Sequence, residues 1–125
     1  MIVLDTNALM MPVECSVRVF EELDRLGFDE GDCLVPRSVL AELEKLADGG
    51  GKEATAASVG RDLADRCGVR AASADYADDA VLELAGDDDV THAVTNDAPL
   101  KRRLLDRGVP VISLRGRNKL AITQP

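Results

Sequence analysis

Aromatic side chains are nearly absent: Phe20, Phe28 and Tyr76 are the whole set in 125 residues, and tryptophan is missing. Many single-strand binders stack successive bases on aromatic faces, so recognition of that kind is mostly unavailable. No apolar run approaches the 18 or more residues of a membrane helix, and no basic region followed by an apolar stretch opens the chain. A cytoplasmic protein without membrane contact is therefore expected. Cys15, Cys33 and Cys67 are odd in number and fit no zinc spacing, which points to reduced, buried thiols. Histidine occurs once, at His92 inside a strand-like run, where a packed neutral imidazole is the simpler reading than a ligand or a base.

Lysine is scarce too, with 4 against 15 aspartates. This bias resembles proteins of salt-loving archaea, in which excess surface carboxylate is a solubility adaptation. The charge is also uneven. Residues 98–125 carry seven basic side chains against Asp106 alone, whereas the rest carries 8 bases against 22 acids. An acidic body with a basic C-terminal quarter suggests an anionic partner for that quarter.

Apolar content of 46% and clear periodicity mark a globular chain of about one domain, spanning residues 1–125, with a short basic tail from about 115. Met1-Ile2-Val3-Leu4 runs without a polar break into Asp5-Thr6-Asn7. Such a run reads as a strand covered on both faces, with Asp5 marking its exit from the core. In open α/β sheets ligands bind at that end, although Asp and Asn are also ordinary turn residues.

Further strands are expected at 33–35, 69–72, 91–94 and 109–114. Helices are expected at 14–26, 37–47, 52–67, 77–85 and 97–107, with Gly27, Gly68 and Gly86 as stops. Gly60 is a weak point in the third of these helices. Gly49-Gly50-Gly51-Lys52 is not a phosphate loop, because Leu46 and Glu53 stand where glycine and Ser or Thr are needed; it reads as a flexible loop. Asp87-Asp88-Asp89 reads as a solvated turn. Strands alternating with helices imply βαβ units and a three-layer α/β/α sandwich around a parallel sheet.

Four carboxylates stand where they could converge: Asp5 after the first strand, Glu42 on the second helix, Asp79 at the start of a later helix, and Asp97 after the fourth strand. Acids at helix starts are also good caps, so Asp79 and Asp97 have structural readings as well. Periodicity does not choose between Glu42 and Glu44, which flank the same apolar face.

Asp5-Thr6-Asn7, Val39-Leu40-Ala41-Glu42-Leu43, Asp78-Asp79-Ala80-Val81-Leu82 and Val94-Thr95-Asn96-Asp97 resemble, in order and spacing, the four acidic motifs of PIN-domain nucleases. Tyr76-Ala77-Asp78-Asp79, Leu100-Lys101-Arg102-Arg103 and Val109-Pro110-Val111-Ile112 are similar to archaeal members related to the nuclease of the small-subunit processome. The resemblance implies a five-stranded parallel sheet in the order 3-2-1-4-5. It also implies Glu42 over Glu44, and Asp79 over Asp78. The implied activity is metal-dependent endonucleolytic hydrolysis of RNA, with ribosomal RNA processing as the setting, and a homodimer follows only by analogy.

The chemistry fits those residue types. Carboxylates held together need a counter-ion, and hard oxygen donors suit one or two Mg²⁺ or Mn²⁺ ions, which lower the pKa of a bound water and stabilise charge on a phosphodiester. Asp5, Glu42, Asp79 and Asp97 are the expected metal ligands, with Asn7 and Thr95 as hydrogen-bonding supports. Lys101, Arg102 and Arg103 would meet the RNA backbone. Weak base specificity leaves target choice to shape or to protein partners in ribosome assembly. Two other readings stand beside this one: a toxin-type ribonuclease, and a catalytically quiet RNA-binding module. A phospho-receiver domain is set aside, because Thr6 and Asn7, not a second acid, follow Asp5.

Overall fold

The computed structural model describes residues 1–125. The chain runs β1 (Ile2–Leu4), α1 (Thr6–Glu14), α2 (Val19–Arg25), β2 (Cys33–Pro36), α3 (Arg37–Ala47), α4 (Gly51–Ala64), β3 (Gly68–Arg70), α5 (Ala77–Ala85), β4 (His92–Val94), α6 (Ala98–Asp106), β5 (Val111–Arg115) and β6 (Lys119–Thr123). One sheet orders them β3-β2-β1-β4-β5-β6. All neighbours are parallel except β5 and β6. The expected α/β architecture and the order 3-2-1-4-5 are present. The strand order reverses at β1, so β1 and β4 flank a switch point.

The apolar runs form the centre because they have no solvent face. Ile2, Val3, Leu4, Val35, Ala93, Val94, Val111 and Ile112 are fully buried. The helices cover both faces, and no helix is long and apolar enough to cross a membrane. Cys33 is buried, while Cys15 and Cys67 are half-buried free thiols. Half-buried His92 packs edge-on against Phe28, and burial lowers its pKa, in keeping with a neutral imidazole.

Three sequence expectations need correction. The helix expected at 14–26 is confined to α2, and a separate, unexpected helix, α1, occupies Glu14 and the eight residues before it. Asp5 caps α1 by accepting the Ala8 amide at 2.8 Å. Pro12 lies inside α1, which stops two residues later, and the chain then turns through Ser16 at φ +55°. The second correction concerns the glycine run, which is a tight α3–α4 turn with α4 starting at Gly51. The third is the basic tail. Residues 119–123 form β6, antiparallel to β5 with Leu114 opposite Leu120 and Ile112 opposite Ile122. Leu120 is 1% exposed, and α2 covers the strand's outer side: Glu22 accepts the Leu120 amide at 2.9 Å and Arg25 donates to the Leu120 carbonyl at 2.6 Å.

Gly60 has a definite job. A Cβ there would stand 2.9 Å from the Leu9 carbonyl oxygen, so glycine lets α4 lie against the backbone of α1. Ala56, Ala57 and Ala64 extend that contact with small buried side chains. The acidic turn is not merely solvated. Arg70 on edge strand β3 donates to Asp87 at 2.9 Å and Asp89 at 2.7 Å.

Candidate active site

The register of β1 against β4 pairs Leu4 with Val94, which sets Asp5 beside Thr95 where both strands leave the sheet. Asp5 is 2% exposed and Thr95 is fully buried. The Thr95 hydroxyl donates to Asp5 Oδ2 and accepts the Asp97 amide at 3.0 Å. Asp97 then caps α6 by accepting the Leu100 amide at 2.9 Å. A parallel set of contacts runs through asparagines. Asn7 Oδ1 accepts the Asn96 amide at 3.0 Å, and Asn96 Oδ1 accepts the Leu114 amide at 2.8 Å. Asn7 and Thr95 thus tie the β1–α1 and β4–α6 turns together, so that Asp5 and Asp97 are held in place.

These turns floor a depression of about 220 Å³. Asp5, Thr6, Asn7, Met10, Glu14, Glu42, Leu46, Glu53, Asp78 and Asp97 line it. Glu42 faces it and Glu44 does not line it. Asp78 also lines it, whereas Asp79 turns aside and pairs with Arg103 at 2.9 Å. One residue along a helix is a rotation of about 100°, enough to exchange the depression for the face of α6. The expected substrate contacts are split in the same way. Arg103 is held by Asp79, Arg102 is exposed, and Lys101 donates to the Ser113 hydroxyl at 3.1 Å. Sequence reasoning weighed Asp78 and took Asp79 from the resemblance, and it left Glu14 and Glu53 out of the site, where no pattern in the chain announces them.

The electrostatics are strained. The Asp5 carboxyl is pushed up to about 7, chiefly by burial. Hydrogen bonds from Thr95 and Ala8 only partly offset this, and Asp78 and Asp97 add to the rise. Asp78 is also raised, by burial first and then by Asp97 and Glu42. The group of acids is thus short of positive charge. The Thr6 hydroxyl beside them is buried with no hydrogen-bond partner. No three of the carboxylates close on one point as a rigid ion cage requires. Oxygen donors of this kind suit a hard cation that keeps much of its own water and takes only one or two carboxylates directly.

A family model for a PIN like domain matches residues 2–117. Ribonuclease VapC4 of Methanocaldococcus jannaschii is 28% identical over 117 residues, covering 91% of this chain and 89% of that protein. The solved structure of the PIN domain endonuclease Utp24 superposes with a TM-score of 0.78 at 24% identity, over 99% of this chain and 91% of that one. At that identity the structural likeness speaks for the fold. The family match covers nearly the whole chain and includes every acid of the depression, so this chain belongs to the family of PIN-like domains.

Proposed function

We propose that the chain is a divalent-metal-dependent RNA endonuclease whose centre is the depression at the ends of β1 and β4. The observation that carries this is Asp5, a carboxyl buried at the switch point beside Asp78 and Asp97, with no lysine or arginine paired to it. A fold gains nothing from such an arrangement, since each buried acid raises the cost of ionising the next.

Asp5, Glu42, Asp78 and Asp97 are the residues that would hold one or two Mg²⁺ or Mn²⁺ ions. Bound there, the metal would supply charge neutralisation and an acidified water for hydrolysis of a phosphodiester. The chain itself orients the participants. Thr95 and the Ala8 amide hold Asp5, the Leu100 amide holds Asp97, and the Asn7–Asn96 pair fixes the turn between them. Asp79 keeps Arg103 at the rim, where the guanidinium lowers the charge seen by Asp78. The ribonuclease name of the 28% identical relative supports RNA as the substrate.

Precursor ribosomal RNA is the substrate we favour, on the strength of the motifs at 76–79, 100–103 and 109–112. The test is incubation with precursor ribosomal RNA and Mn²⁺, followed by mapping of new 5′ ends. Specific cleavage by the wild type and none by a folded Asp5→Asn variant is the expected result; equal cleavage by both would refute the assignment. Arrest of growth on expression alone, with rescue by a neighbouring small gene, would instead identify a toxin. RNA binding without cleavage, and without stabilisation by Mn²⁺, would identify a quiet binding module.

A further inference from the structure

An acidic depression repels the polyanion it is proposed to cut, so the attraction for RNA has to come from nearby cations. The cations next to it continue past α6. Lys101, one turn after the Asp97 cap, donates to Ser113 on β5. Side chains alternate along a strand, so Arg115 lies on the same face of β5 as Ser113. The register sets Lys119 of β6 directly opposite Arg115. Between them the turn carries Arg117 near its tip, with Gly116 at φ +72° allowing the tight reversal.

Two like charges opposite each other on neighbouring strands are unfavourable unless something compensates them. Here the chain does little to compensate. Arg115 and Arg117 form no ion pair. Lys119 reaches Glu22 at 3.6 Å, but Glu22 is already bound by Arg25 at 3.0 Å. Arg115 and Lys119 also border a depression of about 600 Å³ with a floor of Leu26, Leu120 and Ile122.

The location matters as much as the charge. β5 is parallel to β4, so Arg115 lies at the same end of the sheet as Asp97. At about 4.8 Å between strands, β6 is roughly 10 Å from β4, a separation that a short oligonucleotide spans.

We propose that Lys101 and the turn at residues 115–119 form a phosphate-binding strip that carries the RNA backbone from the acidic depression across β5 to the sheet's edge. This rests on the reading of the depression as a ribonuclease centre. An acidic protein surface could match the charge of the hairpin. A phosphodiester backbone also has to occupy the ground beside Asp97, and the strip begins there.

The test is the affinity of oligouridylate for the protein in EDTA, so that nothing is cut, measured across a range of salt. Wild type is compared with Arg115→Gln, Arg117→Gln and, as a remote control, Arg61→Gln on α4. Arg117 is exposed in the turn, so its replacement leaves the core intact. Each hairpin variant should bind several-fold more weakly, and its log–log salt slope should shrink by about 0.7 for each phosphate that is no longer neutralised. The control should match wild type. If both hairpin variants keep wild-type affinity and slope while wild type still cuts RNA, the strip is wrong and the ribonuclease reading stands. If the variants change only the oligomeric mass, the hairpin is an interface between copies and the proposal is overturned. A wild type that neither binds nor cuts RNA removes both.

Discussion

Two carboxylates in this molecule expose little surface, Asp5 at 2% deep at the switch point and Glu22 at 8% beneath the side chains of an outer corner, yet their surroundings are opposite. Glu22 at the α2–β6 corner meets Arg25, the Leu120 amide and Lys119, and Arg25 foremost holds its pKa below the usual glutamate value. Asp5 meets one hydroxyl and one amide, faces Asp78 and Asp97, and is pushed up to about 7. Burial alone therefore does not mark a functional acid. Glu22 is a satisfied structural ion that fastens an edge strand. Asp5 is a buried acid whose charged neighbours in the chain are other carboxylates, as the proposed metal site requires.

The strongest way to break that contrast is Asp5→Asn. The amide keeps a hydrogen-bonding oxygen for Ala8 but removes the charge, so cleavage should fall on the order of 10²-fold or more, as it does on loss of a group that stabilises transition-state charge. Stability should move the other way. A carboxyl whose folded pKa lies above its unfolded value keeps its proton in the folded state. In metal-free wild type the Asp5 contribution should therefore be most favourable at about pH 4 and below, and be lost as pH rises toward 7. The full change is at most about 4 kcal/mol for a shift of this size. The variant should lack that slope. Thermal melts from pH 4 to 8 in chelator decide it, and a flat wild-type profile would put Asp5 in Glu22's class.

Glu22→Ala is the converse experiment. It leaves Arg25 and the Leu120 amide short of partners, and losing a hydrogen bond to a charged group costs about 1.5–3 kcal/mol. Urea unfolding should show that loss at pH 7. The lowered pKa of Glu22 means that the same contribution fades in wild type as pH falls from the usual glutamate value through the lower one of the folded state, so the variant and wild type should converge in strong acid. Hydrogen exchange should quicken at Leu120 and Ala121 and stay unchanged at Val94. A uniform rise across the sheet would show that the corner is not a separate fastening.

Gly60→Ala acts on Asp5's end without touching an acid. Alanine ordinarily favours a helix over glycine by about 1 kcal/mol. Here its Cβ would meet the Leu9 carbonyl oxygen at 2.9 Å, and that atom is backbone. Overpacking of this kind costs about 1–3 kcal/mol, so the net effect should be a destabilisation of about 1 kcal/mol, read from the midpoint of denaturant unfolding. A stabilised variant would mean that α1 can move away from α4 freely.

The fold is legible in the sequence where one physical signal dominates. Helix α3 is legible to the residue because Val39 and Leu43 recur at helical spacing between Pro36 and a glycine run. The short central strands are legible because they are apolar without interruption. Helix α1 is not, for the opposite reason. Thr6, Ala8, Leu9, Met10 and Met11 are all buried, so it has no polar face to produce a period, and Pro12 argues against a helix. Strand β6 is hidden because its basic residues read as tail chemistry. The alternation of Leu120 and Ile122 gains meaning only once β5 lies beside it.

The choice between Asp78 and Asp79 is not made by the residues' spacing, and substitution of Asp79 carries the smallest expected effect. The resemblance to the family points to Asp79, while the depression is lined by Asp78. Asp79 and Arg103 are each nearly half exposed, and an ion pair of that kind contributes about 0–1 kcal/mol. Asp79→Asn should therefore leave the melting point nearly unchanged. It frees Arg103 and removes one of the lesser charges acting on Asp78, so cleavage should change by no more than a few-fold. Asp78→Asn should reduce cleavage nearly as far as Asp5→Asn, and it should weaken the Mn²⁺-induced rise in melting temperature. If the pattern reverses, with Asp79→Asn inactive and Asp78→Asn active, then α5 turns when metal binds and brings Asp79 round, and the pair with Arg103 is the resting position of a ligand.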